Sequence, residues 1–177
     1  MGIIKYIYLF LFLVLFSFQP VQDYETISWN SNERLSWTDF KGKIPENSRA
    51  AATTASGITY RFSTSGNRNQ LQVDFKVDTH FYPNKSWFQP ALCDEVILSH
   101  EQLHFDISEL YARKLRKELN DASYTRNNIK AKVRIIYRKN NEALNAYQNQ
   151  YDHATNYSRD REQQLIWNKK IAEALGE

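Results

Sequence analysis

The chain is poor in the residues that staple, kink or break a fold. It has one cysteine, Cys93, with five glycines and four prolines in 177 residues. A single thiol excludes an internal disulfide framework, a disulfide partner within the chain and any cysteine-only zinc site. No Gly-rich run is present, which excludes a backbone loop that cradles phosphate. Charge of one sign is scarce as well. Lys+Arg 23 against Asp+Glu 20 leave a net charge of +3, too little for a nucleic-acid partner, which would require a concentrated basic face. No apolar run reaches the roughly 20 residues of a membrane-spanning helix. Histidines are few: His80, His100, His104 and His153. Any histidine-based metal site must draw on those four. What is abundant is core material. Hydrophobic residues make up 42% and aromatics 14%, which excludes a disordered chain, and the length suits one domain.

The first residues have a character of their own. Lys5 supplies a positive start, Tyr6 to Phe18 is nearly unbroken apolar sequence, and Pro20 ends it. That run fits the roughly 7–15 residues of a signal-peptide core. Residues 1–22 are expected to be a signal peptide. Residues 23–177 are then a single exported domain of the periplasm, the cell envelope or the exterior. No cysteine follows the run to carry a lipid anchor.

Along the remainder, Ala50 to Ser63 alternates around Ile58, Tyr60 and Phe62, and Leu71, Val73, Phe75 and Val77 alternate with polar residues. Two strands joined at Ser65-Gly66-Asn67 are expected to form a hairpin. Phe81 to Pro90 reads as a connector. Leu92 to Leu119 contains no Gly or Pro, and Val96, Leu103, Ile107, Leu110 and Tyr111 recur at helical spacing. A second helix, capped at Ser123 or Thr125, carries Ile129, Val133, Ile136, Leu144 and Tyr151 on one face. A polar break over Asp152–Asp160 precedes a last helix with Leu165, Trp167, Ile171 and Leu175. The expected fold class is α+β, a small antiparallel sheet followed by three helices.

His100-Glu101-Gln102-Leu103-His104 is an H-E-x-x-H motif within the first long helix. Residues i and i+4 are about one turn apart on one face, so two imidazoles can converge on one ion. The intervening Glu101 projects about 100° around the helix, where it can reach a water held by the metal without ligating the metal. Zinc lowers the pKa of such a water toward ~7, and a carboxylate can then take its proton for attack on a carbonyl. His100 and His104 are therefore expected metal ligands, Zn2+ the expected cofactor and Glu101 the expected catalytic base. Two core histidines hydrogen-bonded to the sheet are the bland alternative, but adjacent buried imidazoles without partners are costly.

A catalytic zinc has three protein ligands and an open position. Glu109 lies about 140° from His104 around the helix and reads as a solvated or core-edge charge. Cys93 shares the histidine face but lies about 10 Å away along the axis, as a core thiol. His80 reads as a loop residue. The polar break offers Asp152, His153 and Tyr157. The basic runs Arg113–Lys117 and Lys130–Lys139 read as solvated helix faces, with attraction to an anionic envelope surface as the alternative. The aromatic residues read as core.

Several elements occur together: Leu35-Ser36-Trp37-Thr38-Asp39-Phe40-Lys41-Gly42, Ala51 to Tyr60, Lys85-Ser86-Trp87, the stretch His100 to Ile107, Tyr151-Asp152-x-x-Thr155, and Gln164-x-x-Trp167. In this combination the chain resembles a bacterial family of predicted secreted zinc-dependent proteases, domain-of-unknown-function family 922. The resemblance implies a zincin-like site with His100 and His104 as ligands and Glu101 as general base. In the family a histidine usually follows the Tyr-Asp-x-x-Thr-x element as the implied third ligand. Tyr157 stands at that position here, so Tyr157, His153 and Asp152 remain the candidates. The expected function is an exported zinc-dependent metallopeptidase-like hydrolase. Its substrate would be a peptide or protein, bound by edge pairing near Ile58 or Val73. The alternative is a non-catalytic envelope peptide-binding protein of the same fold with a degenerate site.

Overall fold

The computed structural model describes residues 25–67 and 70–176. The expected signal segment, residues 1–22, lies outside the described residues. Among the described residues no helix is long and apolar enough to cross a membrane.

The architecture is α+β, as the hydrophobic periodicities require. β3 (Ser56–Ser65) and β4 (Gln72–Phe81) form an antiparallel ladder in which Ile58 opposes Thr79 and Phe62 opposes Phe75. β1 (Ile27–Ser28) adds to the other side of β4, giving the order β1-β4-β3. A second, two-stranded sheet pairs β2 (Ala52–Thr53) with β5 (Trp87–Phe88). Three helices follow: α1 (Glu95–Asp121), α2 (Ile129–Ala154) and α3 (Arg161–Leu175). Ile58 and Val77 of the sheet, Leu103, Ile107 and Leu115 of α1, Val133 and Leu144 of α2, and Trp167 and Ile171 of α3 form one core.

The structure corrects several boundaries. The strand expected over residues 50–63 is split between two ladders. Thr54 Oγ1 donates to Glu101 O at 3.1 Å and Ala55 N–H donates to Ser86 Oγ at 2.9 Å, which pulls the chain off one sheet and onto α1. His80 is not a loop residue. The ladder continues through Gly57↔His80, and His80 Nε2 lies 2.8 Å from Thr59 Oγ1. Cys93 lies outside α1, whose N-cap is Asp94, accepting from Val96 N–H and Ile97 N–H at 3.0 Å each. The cysteine Sγ instead meets Ala51 O at 3.3 Å. The polar break is shorter than expected, because α2 continues through Asp152 and His153 to Ala154. The N-cap of α2 is Asn128, without a side-chain cap bond, and Thr125 closes the turn just ahead of it. Thr125 Oγ1 accepts from Asn128 N–H, and Asn128 Oδ1 accepts from Thr125 N–H, a reciprocal pair across that turn.

The Trp-x-Asp-Phe-x-Gly element is structural. Ser36 N–H and Oγ–H both donate to Asp39 Oδ2, at 2.7 and 2.9 Å. Trp37 stacks on Phe88, with ring centroids 4.6 Å apart, and Phe40 packs in a second cluster with Leu35, Phe81 and Phe105. Gly42 N–H donates to Ser86 O at 2.7 Å. A Cβ there would lie 2.8 Å from the same oxygen, so only glycine lets the two backbones approach this closely.

The middle of α1 is buried on nearly all sides, so its polar residues need partners inside the protein. Gln102 accepts from Leu35 N–H at 2.7 Å and donates to Asp106 at 2.8 Å. Asp106 also accepts from Trp29 Nε1 at 2.9 Å and pairs with Arg34 at 2.9 Å. Ser108 shares a hydrogen bond with Ser56 at 2.7 Å. Glu109, expected as a solvated or core-edge charge, is buried rather than solvated. It accepts from Thr79 at 2.6 Å and pairs with Arg113 and Arg116 at 3.1 and 2.9 Å. The first basic run is therefore not a plain solvated face. Arg113 also donates to Leu175 O at 2.6 Å and Arg116 to Val77 O at 2.9 Å, tying α1 to α3 and to the sheet.

Burial raises the Glu109 pKa, but the hydrogen bonds from Arg116, Thr79 and Arg113 outweigh it, and the net shift is downward. A folded-state pKa below the unfolded value gives stability that is present above the unfolded value of about 4.3 and is lost as pH falls through the folded one. Replacing Glu109 with Ala is expected to cost about 2–3 kcal/mol. This is less than the roughly 3–5 for breaking a fully buried pair, because the two arginine side chains keep 40% and 36% exposure. Urea melts of both proteins at neutral pH and at pH 3 check this. The difference should narrow in acid, and an equal difference at both pH values would contradict the assignment.

Candidate metal centre

Once the structural pairings of α1 are made, the buried His100 and Glu101 and the half-buried His104 are left. The two histidines lie one turn apart and project toward the end of α2. Tyr151 is buried on that last turn, its ring stacked on His100 with centroids 4.6 Å apart and edge-on to His104 at 5.1 Å. The next residue, Asp152, brings its carboxylate between the two imidazoles. Asp152 Oδ1 lies 3.2 Å from His100 Nε2 and 3.0 Å from His104 Nε2, and the two Nε2 atoms are 3.3 Å apart.

Both rings are held from behind by glutamine carboxamides. His104 Nδ1 meets Gln148 Oε1. Gln148 Nε2 donates to His104 O at 3.3 Å, and because a carbonyl can only accept, the amide oxygen must face the imidazole. His100 Nδ1 meets Gln164 Oε1 at 3.0 Å, and the same oxygen accepts from Tyr151 Oη–H at 2.8 Å. Gln164 Nε2 is turned away, donating to Asn168 Oδ1 at 2.8 Å. Each glutamine oxygen thus requires a proton on Nδ1. The neutral rings then direct the Nε2 lone pairs at each other and at a carboxylate oxygen.

Three acceptors at 3.0–3.3 Å repel one another unless a positive charge lies between them. Without a metal, a proton can fill that role. Burial alone would lower the His104 pKa, but the Asp152 hydrogen bond and the nearby Glu101 charge outweigh it and raise it above the ordinary histidine value. Asp152 is likewise raised by burial, but the two imidazoles outweigh that and hold it well below the usual carboxylate range. A metal fits the same triangle. A tetrahedral zinc with ligand bonds of about 2.0–2.1 Å has neighbouring donors about 3.3 Å apart. His100, His104 and Asp152 form a group that could hold a metal ion.

Of the sequence candidates for a third ligand, Asp152 is the one the structure brings to the two histidines. His153 is exposed, because consecutive helical residues project about 100° apart. Its ring instead meets Tyr157 edge-on, with centroids 5.7 Å apart. Tyr157 lies at the rim on a reversal of the chain. Asn156, Tyr157 and Ser158 all have left-handed φ, of 48, 53 and 70°, a run that costs roughly 1–2 kcal/mol per residue. Tyr157 N–H to Asp152 O at 2.8 Å and Asp160 N–H to Thr155 O at 2.9 Å hold the turn.

The triad opens onto a cleft of about 490 Å³. Glu101 lines it, and its buried Oε2 has no hydrogen-bond partner among the described residues. The segment Arg49–Thr54 forms another part of the lining. The strand beside the histidines is therefore β2, and not the ladder around Ile58 and Val73, which packs beneath α1.

Sequence reasoning missed Gln148 and Gln164 as supports of the histidines. One signal was available: Gln148 and Asp152 stand at i and i+4, so continuing the helical stripe of Leu144 by two turns would have found both. Gln164 carried no comparable signal of its role. Replacing Gln164 with Leu is expected to weaken zinc binding by about 10–100-fold, measured by competition with a chromophoric chelator. Unchanged affinity in a protein with the parent circular dichroism spectrum would remove Gln164 from the site.

A model of the family described as "Bacterial protein of unknown function (DUF922)" matches residues 24–159. The match ends ahead of α3 and so leaves out Gln164. No curated protein matches the chain, and no solved structure does.

Proposed function

The chain belongs to the DUF922 family, and we propose that it is a zinc-dependent peptide hydrolase with a zincin-like site, working outside the cytoplasm. The convergence of His100 Nε2, His104 Nε2 and Asp152 Oδ1, with both Nδ1 atoms engaged by glutamine oxygens, carries this reading. Three protein ligands with a cleft on the open side are what a catalytic zinc uses, whereas structural zinc sites are closed by four.

Zinc supplies a Lewis acid beside a substrate carbonyl and makes a proton of water easier to remove. The chain supplies the rest. Glu101 has a carboxylate oxygen with no competing partner, which suits it to accept a proton from the attacking water. Tyr151, Gln148 and Gln164 keep both imidazoles in one tautomer and orientation. The Ala50–Thr54 wall can take an extended peptide by strand pairing. The apolar run ahead of Gln22 supports export of residues 23–177, which the intact mass of protein recovered outside the cytoplasm would check.

The direct test is metal content together with turnover. Protein expressed in zinc-replete medium is expected to hold about one zinc per chain and to cleave an unfolded protein substrate. Chelation should stop cleavage and added zinc should restore it. Protein that takes up no zinc would sink the proposal. Protein that holds zinc and cleaves nothing would leave the non-catalytic binding protein in its place.

A further inference from the structure

Resting on that reading of the site, we infer that the cleft selects its substrate by a carboxylate group, bound by Arg49 and Arg159. Both residues line the cleft. Arg49 stands just ahead of β2 and Arg159 just ahead of α3, so two separate segments each contribute an arginine to the lining.

Most arginines in the protein are committed to partners. Arg34, Arg61, Arg138 and Arg161 pair with carboxylates, Arg113 and Arg116 with Glu109, and Arg126 donates to backbone oxygens. Among the described residues, Arg49, Arg134 and Arg159 have no ion pair or side-chain hydrogen bond. Arg134 lies on the exposed face of α2, while the other two face the same cleft. The acidic residues of that lining are Glu101 and Asp152. One has the proton-accepting role and the other belongs to the metal triad, so neither is available to neutralise the arginines.

A guanidinium presents a planar fork of donors that matches a carboxylate, and such charge-assisted pairs are stronger than neutral ones. The cleft therefore favours a peptide carrying Asp or Glu near the bond to be cut, or a free C-terminal carboxylate. Both sources present the same group.

The test uses a zinc-loaded chain and matched fluorogenic peptides that differ only by Glu or Gln at one position, each with a free or an amidated C-terminus. Hydrolysis is followed together with binding, the latter by fluorescence anisotropy on zinc-loaded Glu101→Gln protein. The acidic peptide is expected to be favoured by roughly tenfold in both readouts, and less so as ionic strength rises. The preference should vanish in an Arg49→Gln/Arg159→Gln double variant and persist in Arg134→Gln. A preference for Glu over Gln in both C-terminal forms identifies the side chain as the source, and a preference for the free over the amidated form, shared by Glu and Gln peptides, identifies the terminus. Equal handling of all four peptides, Glu or Gln and free or amidated, would overturn the inference and leave the hydrolase proposal standing. Loss of the preference in Arg134→Gln as well would also overturn it, since the effect would then be general surface charge. Selective binding of acidic peptides without cleavage would support the inference and refute the hydrolase.

Discussion

A Glu101→Gln variant is expected to keep its zinc and lose about 10²–10⁴-fold in peptide hydrolysis, the span that a positioned general base contributes. Both halves of the expectation follow from the site. Glu101 is not one of the three converging donors, so the metal does not depend on it. One carboxylate oxygen is buried without a partner, so an amide of the same shape breaks no hydrogen bond at that atom and the fold should tolerate the change. The amide cannot accept a proton at neutral pH, and that is the property removed. Steady-state kinetics on protein of matched zinc content would measure it. A variant that keeps its activity would show that another group takes the proton.

Asp152→Ala is expected to lower zinc affinity by more than 100-fold. Losing a residue that only supports a ligand costs about 10–100-fold, and Asp152 touches both imidazoles directly at 3.0 and 3.2 Å. The replacement leaves two neutral nitrogens and removes the one negative charge of the triad. His153→Ala and Tyr157→Phe should keep the parent affinity, because His153 is exposed and Tyr157 stands at the rim. Chelator competition separates the three variants. Thermal melts give a second readout, since a ligand that binds only the folded state stabilises it in proportion to the logarithm of ligand concentration over Kd. The Asp152→Ala melting temperature should stop responding to zinc at concentrations that still shift the other two. If His153→Ala lost the metal instead, the triad would be wrongly assigned.

These expectations separate what local pattern carries from what packing adds. The pairing of His100 with His104 is a matter of helical pitch, and so was legible at once. The alternation from Leu71 to Val77 likewise made β4 legible. Boundaries were less so. The stretch from Ala50 to Ser63 reads as one strand around Ile58, Tyr60 and Phe62, yet it serves two ladders, because Thr54 and Ala55 bond to α1 and to Ser86. Whether Glu109 is a solvated or a core-edge charge was left open for a related reason. Its angle on the helix is right, but whether that face meets water or Thr79, Arg113 and Arg116 depends on where β4 crosses α1.

Scarcity of histidine made the third ligand the open question, and the polar composition of Asp152–Asp160 concealed that α2 continues into it. By itself the sequence determined the two imidazoles, the carboxylate between them in the motif and the α+β class, because each depends on the period of one element. Only the tertiary structure decided that Asp152, and neither His153 nor Tyr157, joins them. That choice depends on the last turn of α2 lying against the middle of α1, with Tyr151 packed on both rings. It is a contact between residues about fifty positions apart, which no local period encodes.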